Sequence, residues 1–497
     1  MNPTNKDLFA NHNHLGFQTP YYFLNDTGKF VIKENIAQTL SVFKPSRQID
    51  ALAVIEFLNK NYILGNRTLI KGISKTPWMA KPNIQLDNWV YANTPAHSEI
   101  VLSEQDIANK LFNLISEEIV AYTQGKNNIG ILLSGGLDSR ILAGTLDFLM
   151  KNRVIPKKNI CALTWGDINS RDVVYAKLIA AKLKWEWKHY VVSSEHLKQN
   201  IEETAILGCE YSPVHLHAIP QIRDDNNLDC IIAASYGDSI GRGEYSGQKI
   251  LELKAIDSDF KNTSCIFKSA AYNENYGKWQ SDLSLYHNLF PQKEPYQQIE
   301  QDYQIHYMRR NLNPCMDMIN EKMPFYQLFT KPTVFGFIWS INPKLRTDRI
   351  YSILFSFLNR DLRNIPWART GFVYGEEKGM PDEFEKDHHS YKKQILYDIY
   401  DHIHDLIFNG NIEKLDFFNF RSITSLFKVI KKYPYKNFDY LEKIIWIASL
   451  SRMVEIYKLE FDNHLPANFN DKLRGRIITQ TEYMSRISYR EIKNILH

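Results

Sequence analysis

The stretch NNIGILLSGGLDSRILAG, Asn127 to Gly144, decides how the chain is read. The apolar run Ile129 to Leu133 has the length of a buried strand, and it stops at Ser134. Gly135 and Gly136 follow, and a segment of helical character opens on Leu137, Asp138 and Ser139. A tight turn with a capping serine would account for the two glycines alone. The whole hexapeptide, set between a strand and a helix, points further, to an anion cradle. Glycines let the main chain approach an anion closely, Ser134 and Ser139 add hydroxyl donors, and the first amides of the helix point outward. Asp138 offers a carboxylate for the Mg²⁺ that accompanies a polyphosphate.

Outward from this point the pattern alternates. Upstream, Ser103 and Asp106 have capping-box spacing, and Ile107, Leu111, Ile115 and Ile119 recur every four residues, with Ala108 and Phe112 beside them, as on a helix face. Downstream, Ile160 to Trp165, His189 to Val192 and Asp229 to Ser235 read as strands, and Arg171 to Leu183 as a helix. Strands this continuously apolar are parallel and covered on both faces, joined by right-handed crossovers. The expected fold class is therefore α/β, with an open, doubly wound, mostly parallel sheet that binds ligands at the carboxyl ends of its strands. Residues 1–95 read as a small α+β unit with a helix over Asp50 to Asn59, ending in a polar linker at Ala92 to Glu99. The sheet domain spans 96–375, and 376–497 reads as a helical extension.

A chain of 497 residues with 44% apolar and 23% charged residues can bury a sizeable core. Its net charge of +4 leaves no electrostatic footprint for nucleic acid. The basic run Lys428 to Lys436 reads as a solvated helix face, and the segment DHHSY, Asp387 to Tyr391, as a solvated stretch and not a metal site. Five scattered cysteines without a C-x-x-C pair argue against zinc ribbons and disulfide frameworks. There is no leader pattern at the start and no run of about 18 apolar residues, so the expectation is a cytoplasmic protein without a membrane partner.

The hexapeptide Ser134 to Ser139 resembles the pyrophosphate-binding loop of the ATP pyrophosphatase superfamily, and it is not a P-loop, since no lysine follows the glycines. Further stretches resemble the asparagine synthetase family. SYGDSIGRGEY, Ser235 to Tyr245, is similar to that family's second nucleotide motif, with Asp238 at its second Mg²⁺-binding aspartate. MPFY, Met323 to Tyr326, resembles VPFLD, and NPKLRTDRIYSILF, Asn342 to Phe355, resembles the segment with the catalytic lysine. IPWARTG, Ile365 to Gly371, occurs at this place in related proteins. GFQTPYYF, Gly16 to Phe23, and FLNKNYILGNRTLIKGI, Phe57 to Ile73, resemble parts of the class II glutaminase domain, whose N-terminal cysteine nucleophile is matched here by Asn2.

The resemblance implies ATP and Mg²⁺ as cofactors. It also implies a two-step ligation in which a carboxylate is adenylylated with loss of pyrophosphate and an amine then displaces AMP. It assigns Ser134, Gly135, Gly136, Leu137, Asp138, Ser139, Ser235, Tyr236 and Gly237 to the nucleotide, with Leu132 and Trp165 beside adenine. Asp138 and Asp238 would hold the metal, and Arg346 or Arg349 would stand near the catalytic lysine's place. Arginine clamps phosphate but is a poor general base. Ser235 and Tyr236 replace a glutamate of the family, and Gln327 replaces the aspartate of its PFLD, so the carboxylate need not be aspartate. The substrates implied are a small-molecule or peptide carboxylate and ammonia or an amine, the ammonia either free or delivered by a separate protein, with no glutamine hydrolysed by this chain. Alternatives are a tRNA-modifying enzyme of the same superfamily and a silent scaffold that keeps the fold.

Overall fold

A three-stranded antiparallel sheet opens the described chain, with β1 (Tyr21–Leu24) between β2 (Phe30–Lys33) and β3 (Ser74–Lys75). Helices α1 (Ile36–Val42) and α2 (Ala51–Lys60) pack with it, and a hairpin of β4 (Ala80–Asn83) and β5 (Asn88–Tyr91) follows. Asp50 caps α2 by accepting the Leu52 amide, so the helix starts where the sequence places it. The computed structural model describes residues 19–224, 227–237, 247–258, 260–262, 265–312, 314–376, 383–434 and 438–461, with 469, 471, 473, 477, 479 and 481–485 beyond. Asn2, the first residues of GFQTPYYF and Asp238 lie outside the described residues.

The second sheet carries the loop Ser134 to Ser139 at the end of its central strand. It holds β6 (Asn128–Leu132), β7 (Asn159–Trp165), β8 (Glu186–Tyr190), β9 (Cys230–Ala233) and β10 (Phe325–Gln327), in the order β10-β9-β6-β7-β8 with every pair parallel. Helices α3 (Glu104–Thr123), α4 (Leu137–Lys151), α5 (Arg171–Leu183) and α6 (Ser194–Ile206) intervene. The chain starts at the central β6, winds out through β7 and β8, and returns on the other side at β9. The α/β, doubly wound, parallel architecture is thus present. Its winding reverses between β6 and β9, neighbours in the sheet, and it is beyond the carboxyl ends of two such strands that open α/β sheets form a ligand crevice.

Two elements differ from the sequence reading. β8 begins at Glu186 and ends at Tyr190, ahead of the expected His189 to Val192. It is an edge strand with only β7 beside it, so Glu186, Lys188 and His189 stay partly solvated and break the apolar run that signals a central strand. β10 was not foreseen, because three residues carry no periodicity and the pairing Phe325 to Ile231 comes from tertiary context. The expected α3 stripe of Ile107, Leu111, Ile115 and Ile119 is buried, and Ser103 accepts the Asp106 amide at 3.1 Å.

The polar stretch Ala92 to Glu99 is fastened to the body. His97 is buried, its Nε2 lies 2.6 Å from Glu300 and its Nδ1 3.2 Å from Gln292. The GNRT residues of the N-terminal unit are held more deeply. The Gly65 amide donates to His306 Nδ1 at 2.9 Å, and the Gly65 carbonyl accepts from Arg309 and Arg310. Burial pushes the His306 imidazole down to about 3, so it stays neutral and can accept that amide. The helix Phe438–Tyr457, expected from its sequence, packs on α6, and its Trp446 stacks on Phe57 at 4.2 Å. Among the described residues no helix is long and apolar enough to cross a membrane.

Candidate active site

Ser134 to Ser139 leaves the end of β6 and enters α4. The two hydroxyls fold the turn on itself: the Ser134 amide donates to Ser139 Oγ at 3.2 Å, and the Gly136 amide to Ser134 Oγ at 3.1 Å. The Asp172 carboxyl at the start of α5 is pushed up by burial and pulled down by the neighbouring His388 and the Gly135 amide, which places it beside the loop. Gly136 stands at the N-cap of α4 and has no side chain, so no side-chain cap covers the positive end of this 15-residue helix. Neither glycine has a positive φ. Gly135 is required by crowding, since a Cβ there would lie 2.9 Å from Ala368 Cβ and 3.0 Å from the Arg171 carbonyl oxygen. Leu132 and Leu137 are buried, so any contact they make with a ligand runs through their backbone.

Across the crevice, the chain leaving β9 comes down onto this loop. An ideal Cβ on Gly237 would stand 2.6 Å from Asp138 Cγ, so the backbone of Gly237 rests directly on the Asp138 side chain. The two motifs, about a hundred residues apart in sequence, therefore meet at Asp138, and Asp238 follows Gly237 outside the described residues. Ser235 is exposed, and its amide donates to Gln327 Oε1 at 3.1 Å. Gln327 is thus a positioning residue for this loop. Tyr236 corrects the sequence reading as far as its side chain goes: it is 1% exposed and its hydroxyl donates to the Met308 carbonyl at 3.1 Å. It is an anchor of the loop, with no hydroxyl presented to a nucleotide.

A third wall comes from Leu362 to Ala368. Arg140, fully buried in the first turn of α4, donates to the carbonyls of Leu362, Ile365 and Pro366 and, at 3.0 Å, to that of Gly135. The Ala368 amide donates to the same Gly135 carbonyl at 3.2 Å. This is the physical content of IPWARTG beside the loop. Burial pushes Arg140 down to about 10, which keeps it charged at neutral pH. Arg140→Met is expected to cost about 3 kcal/mol or more, because several buried carbonyls lose a charged donor at once; a denaturant midpoint that does not move would refute this. Sequence reading missed Arg140 and Asp172. Both act through the loop, and neither belongs to a recognisable spacing.

The end of β7 is covered. Trp165 is half-buried and stacks on His217 with centroids 5.6 Å apart. Segment DHHSY, expected to be solvated, lies over it: His388 and His389 are half-buried, the Asp167 amide donates to the His388 carbonyl, and Tyr391 is buried with its hydroxyl 2.7 Å from His217 Nδ1. Adjacent histidines in an extended segment face different neighbours, so helical spacing could not reveal this packing. Among the described residues no group of three or more His, Cys, Asp or Glu is placed to hold a metal.

The two arginine candidates part company. Arg346 is 2% exposed, pairs with Glu300, and donates to the carbonyls of Ile341 at 2.9 Å and Trp339 at 3.1 Å. It is a buried structural cation, which corrects its reading as a phosphate clamp. Arg349 has 77% of its side chain exposed and lies 3.4 Å from Glu104, at the start of α3, the end of that helix on the crevice side of the sheet. Burial pushes the Glu300 carboxyl up, but Arg346 and His97 outweigh it and hold it at about 2. The stability this group contributes is therefore present above its ordinary 4.5 and lost as pH falls towards 2. Arg346→Met should cost about 3–5 kcal/mol and change the acid limb of stability, because it strands Glu300. Arg349→Met should leave the thermal midpoint unchanged; equal midpoints for the two variants would sink the distinction.

Residues 94–221 match the family described as asparagine synthase. No curated protein matches the sequence. Among solved structures, the U34-tRNA thiolase NcsA from Methanococcus maripaludis with its [4Fe-4S] cluster is similar at 13% identity, over 67% of this chain and 80% of that one, with a TM-score of 0.25.

Proposed function

We propose, from a sheet domain whose residues 94–221 are of asparagine synthase type, that this chain is an ATP-dependent ligase that joins a carboxylate to ammonia or an amine. The observation that carries the reading is the meeting of two loops at the winding reversal: the side-chain-free start of α4 faces outward while Gly237 rests on Asp138. A helix N-terminus stabilises phosphate charge, and this one would hold the β and γ phosphates. A carboxylate oxygen then attacks the α-phosphorus, the α–β bridge breaks, and pyrophosphate leaves with its charge on the loop. The amine nitrogen next attacks the acyl carbon, and AMP leaves with the former carboxylate oxygen.

The donor set suits Mg²⁺, which takes hard oxygen ligands from one or two carboxylates together with substrate phosphates. Asp138 would supply one and Asp238 the other, and the ion would offset charge on the transferring phosphate. Gln327, uncharged and spent on the Ser235 amide, removes a negative charge from the substrate side and favours a carboxylate other than aspartate. The amine comes as ammonia, free or from a separate protein, or as part of a larger substrate.

The test is exchange of labelled pyrophosphate into ATP, run across a panel of carboxylic acids. Exchange with one class and not the others supports the ligase and names its substrate. Protein that neither binds ATP nor exchanges with any acid would leave the silent scaffold as the better account.

A further inference from the structure

A cavity of about 620 Å³ lies away from the loop, between the N-terminal unit and the sheet domain. The N-terminal unit supplies Tyr21 and Lys75; the sheet domain supplies Glu210, Tyr211, Asp317 and Glu321. Its size is that of a small-molecule site.

Its charges are unevenly satisfied. Lys75 Nζ lies 3.5 Å from Glu210 Oε2 and 3.7 Å from the centre of the Tyr21 ring, and Arg310 donates to the same Glu210 oxygen at 3.0 Å. Both cations are therefore spent on one oxygen. The other, Oε1, is buried and has no well-formed hydrogen bond among the described residues, with the Tyr21 side chain beside the carboxylate. A buried carboxylate oxygen without a full set of donors is unfavourable, and such groups gather at binding sites. The buried Tyr211 hydroxyl likewise has no hydrogen-bond partner. Glu321 is neutralised from outside by Arg223 at 2.9 Å. Asp317, half-buried, accepts the Asn320 amide at 2.8 Å; burial pushes its carboxyl up to about 6, against the pull of Asn320 and Lys75, so it is ionised at neutral pH. Among the described lining residues the carboxylates of Glu34, Glu210, Asp317 and Glu321 outnumber the cation of Lys75, so the walls favour a positively charged guest.

The cavity also borders the nucleotide side. Asp317 ends the single turn Pro314–Asp317, and the preceding residue, Met316, accepts at Sδ from Ser235 Oγ at 3.4 Å and from Gln327 Nε2 at 3.3 Å. One turn of chain thus separates the cavity from the loop that rests on Asp138. We infer that this cavity binds a primary ammonium group on an organic tail, held by Asp317 with the tail against Tyr21 and Tyr211. That this ammonium belongs to the second substrate rests on the ligase reading; the binding site itself does not.

Calorimetric titration of the full chain with hexylamine hydrochloride and, separately, sodium hexanoate at neutral pH tests the site without catalysis. Hexylamine is expected to bind with one-to-one stoichiometry and at least about tenfold more tightly than hexanoate, and Asp317→Asn to weaken it by about tenfold or more, the loss expected for one charged hydrogen bond. Should Asp317→Asn fail to fold, the wild type read across pH replaces it, with amine binding weakening as pH falls through about 6. Hexanoate binding as tightly as the amine, no amine binding at millimolar concentration, or undiminished binding by folded Asp317→Asn overturns the assignment. Amine binding without pyrophosphate exchange would leave the site standing and remove the ligase.

Discussion

Asp138→Asn is expected to lower pyrophosphate exchange roughly a hundred- to a thousandfold while leaving the thermal midpoint close to that of the parent. The substitution keeps the shape of the side chain and removes only its charge. Asp138 is half-buried in the first turn of α4, where a negative side chain complements the helix dipole by a few tenths of a kcal/mol at most, so stability changes little. Exchange, in contrast, needs a negative ligand beside three or four phosphate charges, and an amide oxygen is a poor substitute for a carboxylate on a hard divalent ion. A parallel measurement of ATP affinity separates two roles. Loss of exchange with ATP affinity kept within a few-fold would mean that Asp138 acts mainly in the transition state, whereas equal losses would mean uniform binding. Exchange that persists undiminished would show that the loop after β6 is not the phosphate site.

The parts of this protein that could be read from sequence are those whose chemistry is local. Ser134 to Ser139 packs glycine, hydroxyl and carboxylate into six consecutive residues at the end of an apolar strand, so turn chemistry and strand pattern agree there. The buried stripe of α3 was legible for the same reason, since one periodicity governs it. What escaped depends on contacts between distant segments. Whether an arginine beside Pro343 reaches a ligand or a buried glutamate depends on where Glu300 sits, and two arginines three residues apart in one motif end with 1% and 77% of their side chains exposed. Tyr236 follows the same logic, its hydroxyl drawn inward by a carbonyl at Met308. Asp172 sits in an ordinary first helical turn, and only the fold brings it to the Gly135 amide. β10 and the cover formed by His388 to Tyr391 are likewise set by the surfaces they meet.

Gly237→Ala should be the more revealing of the two loop substitutions, because it adds one methyl group and removes no functional atom. The added carbon would lie 2.6 Å from both Cγ and Oδ1 of Asp138 and 2.8 Å from its Cβ, closer than non-bonded carbon atoms tolerate. Since Gly237 does not have a positive φ, alanine is not excluded there by its own backbone; the clash is entirely with Asp138. Relief must come from rotation of the Asp138 side chain or from withdrawal of the chain after β9. The second route is resisted by the Tyr236 hydroxyl on Met308 and by the Ser235 amide on Gln327, which hold the two preceding residues. Asp138 is therefore the group that moves. A displacement near 1 Å at a positioned catalytic group costs on the order of a hundredfold, so exchange should fall by about that factor, with a midpoint loss of only about 1–3 kcal/mol from the crowding. Combining Gly237→Ala with Asp138→Asn then discriminates cause from coincidence. If the alanine acts by misplacing the carboxylate, the double variant is no worse than Asp138→Asn alone, and a multiplicative loss would show that Gly237 serves the nucleotide by a separate route.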